Sequence, residues 1–120
     1  MKILIYSFND KIGDGLQKIT FLQKIKDIYP NSIIYYTTSQ TTTLKDKLNP
    51  LVKDFIHEFI ENNKIDSSLL SLLRGNDKIP RVKFDLIIDL QKVVLRTLNL
   101  KKIPHKKFFS ASANFLFSSL

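Results

Sequence analysis

Cysteine and tryptophan are absent from the 120 residues, and glycine occurs only 3 times. Without cysteine there are no disulfides, no thiolate nucleophile and no cysteine-based zinc site, a composition that fits a reducing compartment. No stretch approaches the ~20 apolar residues of a membrane-spanning helix. The apolar part of the opening "MKILIYSFND" is too short for a signal-peptide core of ~7–15 residues. No G-K-[ST] sequence occurs, and Gly13-Asp14-Gly15 lacks the third glycine of a dinucleotide fingerprint, which disfavours both common nucleotide-binding loops. His57 and His105 stand without carboxylate or cysteine neighbours at ligand spacing, so no metal site is expected.

What is present describes one globular domain over 1–120, with 43% hydrophobic and 25% charged residues. The net charge of +8, from 19 Lys and Arg against 11 Asp and Glu, favours anionic partners such as phosphorylated sugars, nucleotides or an acidic membrane surface. The lysines are scattered, which generic solubility explains equally well. Arg96, Lys101, Lys102, Lys106 and Lys107 form the densest basic region, read as a solvated face able to attract phosphate. No aromatic interleaving or recognisable module accompanies it, and nucleic acid is not an expected partner.

Short β-rich runs alternate with longer helical ones. "KILIYSF" (Lys2 to Phe8) is nearly continuous in apolar residues, as in a strand buried on both faces. From Asp14 to Tyr29, Leu16, Ile19, Leu22 and Ile25 recur at helical spacing, with Lys18, Lys24 and Lys26 off that stripe. Pro30 and Asn31 stop this helix, and "SIIYYTT" (Ser32 to Thr38) reads as the second strand. Thr42 to Leu48 is a candidate short helix ending before Pro50, and Asp54 to Phe59 a candidate third strand. A helix is expected over Ser67 to Arg74, a buried strand over Lys83 to Leu90, a helix over Gln91 to Leu100, and a fifth strand from "KKFFSAS". The expected fold is α/β: a Rossmann-like open parallel sheet with helices on both faces. Phe108 and Phe109 are expected in its core. Ligands of such sheets sit outside the C-terminal strand ends, which here means Phe8 to Gly15 and Asp89 to Lys92.

Two of the three glycines flank Asp14 in the first of these segments, where a sharp strand-to-helix turn needs backbone freedom. Asp14 itself has two readings. As a helix cap it satisfies an orphan amide and gains ~0.3–1 kcal/mol from the helix dipole. As a general base it stays ionised at neutral pH and weakly basic, which suits a reaction whose proton transfer lags bond breaking. Asp89 and Gln91 likewise read either as a cap and a turn residue or as lining of a site.

"MKILIYSFNDKIGDGLQKITFLQKIKDIYPNSIIYY" and "KFDLIIDLQKVVLRTLNL" together resemble the N-terminal domain of glycosyltransferase family 9, the ADP-heptose:lipopolysaccharide heptosyltransferases. The family's Leu-Gly-Asp loop corresponds to Ile12-Gly13-Asp14, and its Asp-leading strand ending Asp-Leu-Gln to Phe84-Asp85 through Asp89-Leu90-Gln91. Lys92 stands where the family usually has glycine, and Thr20 where proline is common. The resemblance implies the N-terminal half of a GT-B glycosyltransferase performing inverting, metal-independent sugar transfer. It makes Asp14 the base that activates an acceptor hydroxyl, and Asn9, Gly13, Gly15, Asp89, Gln91 and Arg96 the acceptor-binding or site-lining residues. No cofactor is implied; a donor ADP-sugar would bind mainly to a C-terminal domain, which this chain is expected to lack. The acceptor would be a lipopolysaccharide-type glycan or glycolipid, and the location cytoplasmic with peripheral contact at the inner membrane. The uncharged apolar end "FFSASANFLFSSL" is expected to be covered by that further domain or by a partner chain, and the 120 residues alone to be inactive. A stand-alone Rossmann- or flavodoxin-like module binding an anionic ligand or partner protein is the alternative.

Overall fold

The computed structural model describes residues 1–7, 10–61, 83–90, 100 and 103–110. The elements are β1 (Lys2–Ser7), α1 (Ile12–Ile28), β2 (Ile33–Thr38), α2 (Asn49–Val52), β3 (Glu58–Ile60), β4 (Phe84–Asp89) and β5 (His105–Ser110). They build one sheet of five parallel strands in the order β3-β2-β1-β4-β5. This is the Rossmann-like α/β arrangement expected from the alternating runs. The expected helix over Ser67 to Arg74 and all but Leu100 of that over Gln91 to Leu100 lie outside the described residues, as do Asn9, Gln91, Arg96 and the segment 111–120.

β1 is the middle strand, and Ile3, Leu4, Ile5 and Tyr6 are fully buried. Alternation sends Ile3 and Ile5 to one face, where they pack with Leu22 and Ile25 of α1, Tyr36, Leu44, Val52 and Ile88. Leu4 and Tyr6 go to the other face, with Ile87, Leu100, Ile103 and Phe108. Each such side chain contributes roughly 1.5–3 kcal/mol by leaving water. A strand with core on both faces has no polar face, which is why the run reads as continuous in the sequence.

α1 turns inward the expected stripe from Ile19 through Leu22 to Ile25, but not its first residue, Leu16. Gly15, Leu22 and Ile25 are buried and Lys18, Ile19, Lys26 and Tyr29 partly so, whereas Leu16 is 50% exposed and Ile28 65%. The buried positions follow i, i+3, i+7 from Gly15 rather than from Leu16. Two lysines counted off the stripe therefore belong to its margin, each with a partner: Lys26 Nζ donates to Ser32 O at 2.6 Å, and Lys18 reaches Asp10.

The short helix α2 begins where the sequence reading ended one. Residues 43–48 are turns, and Pro50 lies in the first turn of the helix, where its missing N–H costs nothing. β3 takes only Glu58 and Phe59 of its expected span and runs on to Ile60. Phe108 is buried, but Phe109 is 38% exposed in an open groove with Phe21, Ile25, Leu86 and Ile88, so only one of that pair belongs to the core.

Candidate functional site

The strand order reverses between β1 and β4, since β2 and β3 extend the sheet to one side of β1 and β4 and β5 to the other. At such a switch point the loops leaving two adjacent strands diverge and open a crevice at their C-terminal ends. Tyr6 is in register with Asp89, and Leu90 N–H donates to Tyr6 O at 2.9 Å, so the two strands end side by side. Ile12-Gly13-Asp14 opens α1 directly after β1, and Asp89-Leu90 closes β4. The described parts of the two segments singled out in the sequence, Asp10 to Gly15 and Asp89 to Leu90, thus follow strands that lie side by side.

Asp14 is the third residue of α1. The residue preceding the helix is Lys11, which makes no side-chain capping bond. Neither glycine provides a sharp turn, since both Gly13 and Gly15 are inside the helix. Gly13 has nothing within 4 Å of where a Cβ would stand, whereas a Cβ on Gly15 would meet Thr43 Oγ1 at 2.6 Å and Leu48 Cδ1 at 2.8 Å. Gly15 is therefore a packing requirement that lets α1 seat against the loop after β2. Asp89, the last residue of β4, is buried at 1% exposure.

The most heavily engaged side chain at the mouth is Asp10, which sequence reasoning passed over. It is 3% exposed and sits between β1 and α1. Its Oδ1 accepts from Ser7 Oγ at 3.0 Å and from the Lys18 ammonium. Its Oδ2 accepts from Tyr36 OH at 2.6 Å and Thr42 Oγ1 at 2.8 Å. Lys18 also donates to Ser7 Oγ at 2.6 Å. The main chain of Asp10 is held too: its N–H donates to Thr41 O and its carbonyl accepts from Thr43 N–H, both at 3.0 Å. One carboxylate thus joins β1, α1, β2 and the loop after β2. Charge-assisted hydrogen bonds of this kind are roughly twice as strong as neutral ones.

With two donors on each oxygen, Asp10 has its acceptor capacity filled and is a clamp rather than a base for an outside molecule. Nothing local in the sequence marks it. Its four partners are spread from residue 7 to residue 42, and only the β1-α1-β2 topology assembles them.

Further polar contacts hold the C-terminal ends of β1 and β2 and the loop after β2. Tyr6 OH and Ser39 Oγ are 2.5 Å apart, Thr38 Oγ1 donates to Gln40 O at 2.8 Å, and Thr42 N–H donates to Glu61 Oε2 at 2.8 Å. The basic residues 106 and 107 are elsewhere. Lys106 pairs with Asp85 at 3.2 Å near the N-terminal ends of β4 and β5, at the opposite edge of the sheet. There the Lys2 main-chain N–H, donating to Asp85 Oδ2 at 2.8 Å, and then the Lys106 ammonium hold the Asp85 carboxyl below its ordinary range.

Among the described residues no group of three or more His, Asp or Glu could hold a metal ion, and no helix is long and apolar enough to cross a membrane. The fold is that of a Rossmann-like α/β domain, with a switch point between β1 and β4. No protein-family model, curated protein or solved structure matches the chain.

Proposed function

We propose that this chain is the acceptor-side domain of an inverting, metal-independent sugar transferase of the glycosyltransferase family 9 type. The observation that supports this reading is the convergence of its two motif segments. Ile12-Gly13-Asp14 and Asp89-Leu90 follow adjacent, in-register strands at the switch point, where an α/β sheet receives its ligand. In this reading Asp14 is the base, as the resemblance implies, while the neighbouring carboxylate, Asp10, already has its acceptor capacity filled.

In this reading the Asp14 carboxylate accepts the proton of an acceptor hydroxyl as that oxygen bonds to the anomeric carbon of the donor. The bond from that carbon to the nucleoside diphosphate breaks on the opposite face, and the diphosphate leaves with the electron pair. A second domain supplies the donor ADP-sugar, the acceptor is a surface glycan or glycolipid, and the reaction takes place on the cytoplasmic side of the inner membrane.

The test is sugar transfer by the full-length gene product, followed as release of ADP from ADP-sugars in the presence of lipopolysaccharide-core acceptors. Asp14→Asn should lower kcat about 10²–10⁴-fold, the range a general base supplies, with an unchanged circular dichroism spectrum. Retained turnover would refute the base. If the wild-type protein binds phosphorylated sugars or ADP but transfers nothing, the domain is a binding module and not a transferase.

A further inference from the structure

We propose that Asp10 is the positioning residue of the mouth, fixing the first turn of α1, and with it Asp14, above the ends of β1 and β4. Its effect on turnover rests on the transferase reading; its effect on the position of α1 does not. The first turn has three attachments, all of which run through or beside Asp10. The Asp10 carboxylate binds Lys18, one turn and a half along the same helix. Its main chain is paired on both sides with Thr41 and Thr43, and Thr43 Oγ1 donates to Lys11 O at 3.3 Å. Gly15 then closes against Thr43 and Leu48 with no room for a methyl group.

The arrangement is built and not incidental. A carboxylate with 0% side-chain exposure is retained only where its charge and lone pairs are matched, and here an ammonium and three hydroxyls match them. Three residues separate Asp10 from Asp14, all of them in the connection or the first helical turn, so a shift of the clamp passes directly to Asp14. A misplacement of about 1 Å at a reacting group costs on the order of 10²-fold in rate.

Asp10→Asn separates charge from shape. The amide oxygen replaces Oδ1 toward Ser7 and Lys18. The amide nitrogen replaces Oδ2 toward two hydroxyls that can rotate to accept. The side chain still fits, but Lys18 loses its counter-charge. In the full-length protein we expect kcat to fall about 10- to 100-fold with the acceptor KM changed less than about threefold. Amide hydrogen exchange at Asp10, Gly15 and Thr43 should accelerate about tenfold or more, while Leu86 and Ile88 of β4 stay at the wild-type rate. Adding Lys18→Gln, which removes the unpaired cation, should restore part of both losses.

Wild-type exchange at the mouth in Asp10→Asn overturns the proposal, whatever kcat does. Faster exchange in β4 to the same degree also overturns it, because Asp10 would then support the whole fold. If Asp14→Asn leaves turnover intact, the transferase reading fails, and the exchange data still decide the role of Asp10.

Discussion

Replacing each of the two helical glycines by alanine should shift stability in opposite directions. Both exchanges remove backbone entropy from the unfolded chain and add helix propensity, a gain of roughly 0.5–1 kcal/mol for a glycine inside a helix. At Gly13 the new methyl group meets nothing within 4 Å, so the gain stands alone. At Gly15 the methyl would sit 2.6 Å from Thr43 Oγ1 and 2.8 Å from Leu48 Cδ1. Thr43 cannot retreat, because its N–H is bonded to Asp10 O at 3.0 Å. Overpacking of this kind costs about 1–3 kcal/mol, which leaves a net loss of about 1 kcal/mol. With an unfolding entropy of ~2.1 cal/mol/K per residue, 1 kcal/mol corresponds to about 4 °C for a chain of this length. Gly13→Ala should therefore raise the Tm by about 2–4 °C and Gly15→Ala lower it by about 4 °C, with urea midpoints moving in the same directions. Equal stabilisation by both would refute the seating of α1 against the loop after β2.

Two further perturbations probe other parts of the structure. Tyr36→Phe removes a buried donor to Asp10 Oδ2 and should cost about 1.5–3 kcal/mol in urea unfolding, well above the few tenths expected of an exposed hydroxyl. Asp85 has its carboxyl lowered by the Lys2 N–H and the Lys106 ammonium, so its contribution is present above the ordinary carboxylate range, near pH 4, and is lost as pH falls through its lowered value. Asp85→Asn should accordingly flatten the decline of stability in acid below about pH 4, seen as a smaller drop in Tm between pH 5 and pH 2; an unchanged profile would remove Asp85 from the acid response.

The strands were legible because burial on both faces leaves a plain mark: "KILIYSF", "SIIYYTT" and "KFDLIIDL" each contain an observed strand within about one residue of its ends. The inner face of α1 was less so. Its stripe was read correctly at Ile19, Leu22 and Ile25, but at the N-terminal end it passes through Gly15 and Lys18, a residue with no side chain and one with a charge, where hydropathy chose Leu16 instead. Pro50 was read as the end of a helix although the residue serves equally at a first turn, a choice that local sequence leaves open. The Asp10 cluster left no trace in any window. Ser7, Lys18, Tyr36 and Thr42 are each unremarkable where they stand, and Lys18 was even placed off the buried stripe of its helix. Asp14 was singled out through a motif, whereas Asp10 came to notice only through geometry.

The position of β1 in the strand order sets a timetable for synthesis. Its partner on one side, β2, follows directly after α1, and the clamp at Asp10 is complete once Thr42 has emerged. Its partner on the other side, β4, begins only at Phe84. At ~5–20 residues per second, the most apolar strand of the protein waits several seconds on the ribosome with one row of amides and carbonyls unpaired. During that interval the nascent chain presents a ready template for strand addition by another molecule, so chaperone demand should be greatest before β4 is made, and a ribosome stall between Thr42 and Phe84 should provoke aggregation more strongly than one placed after Asp89.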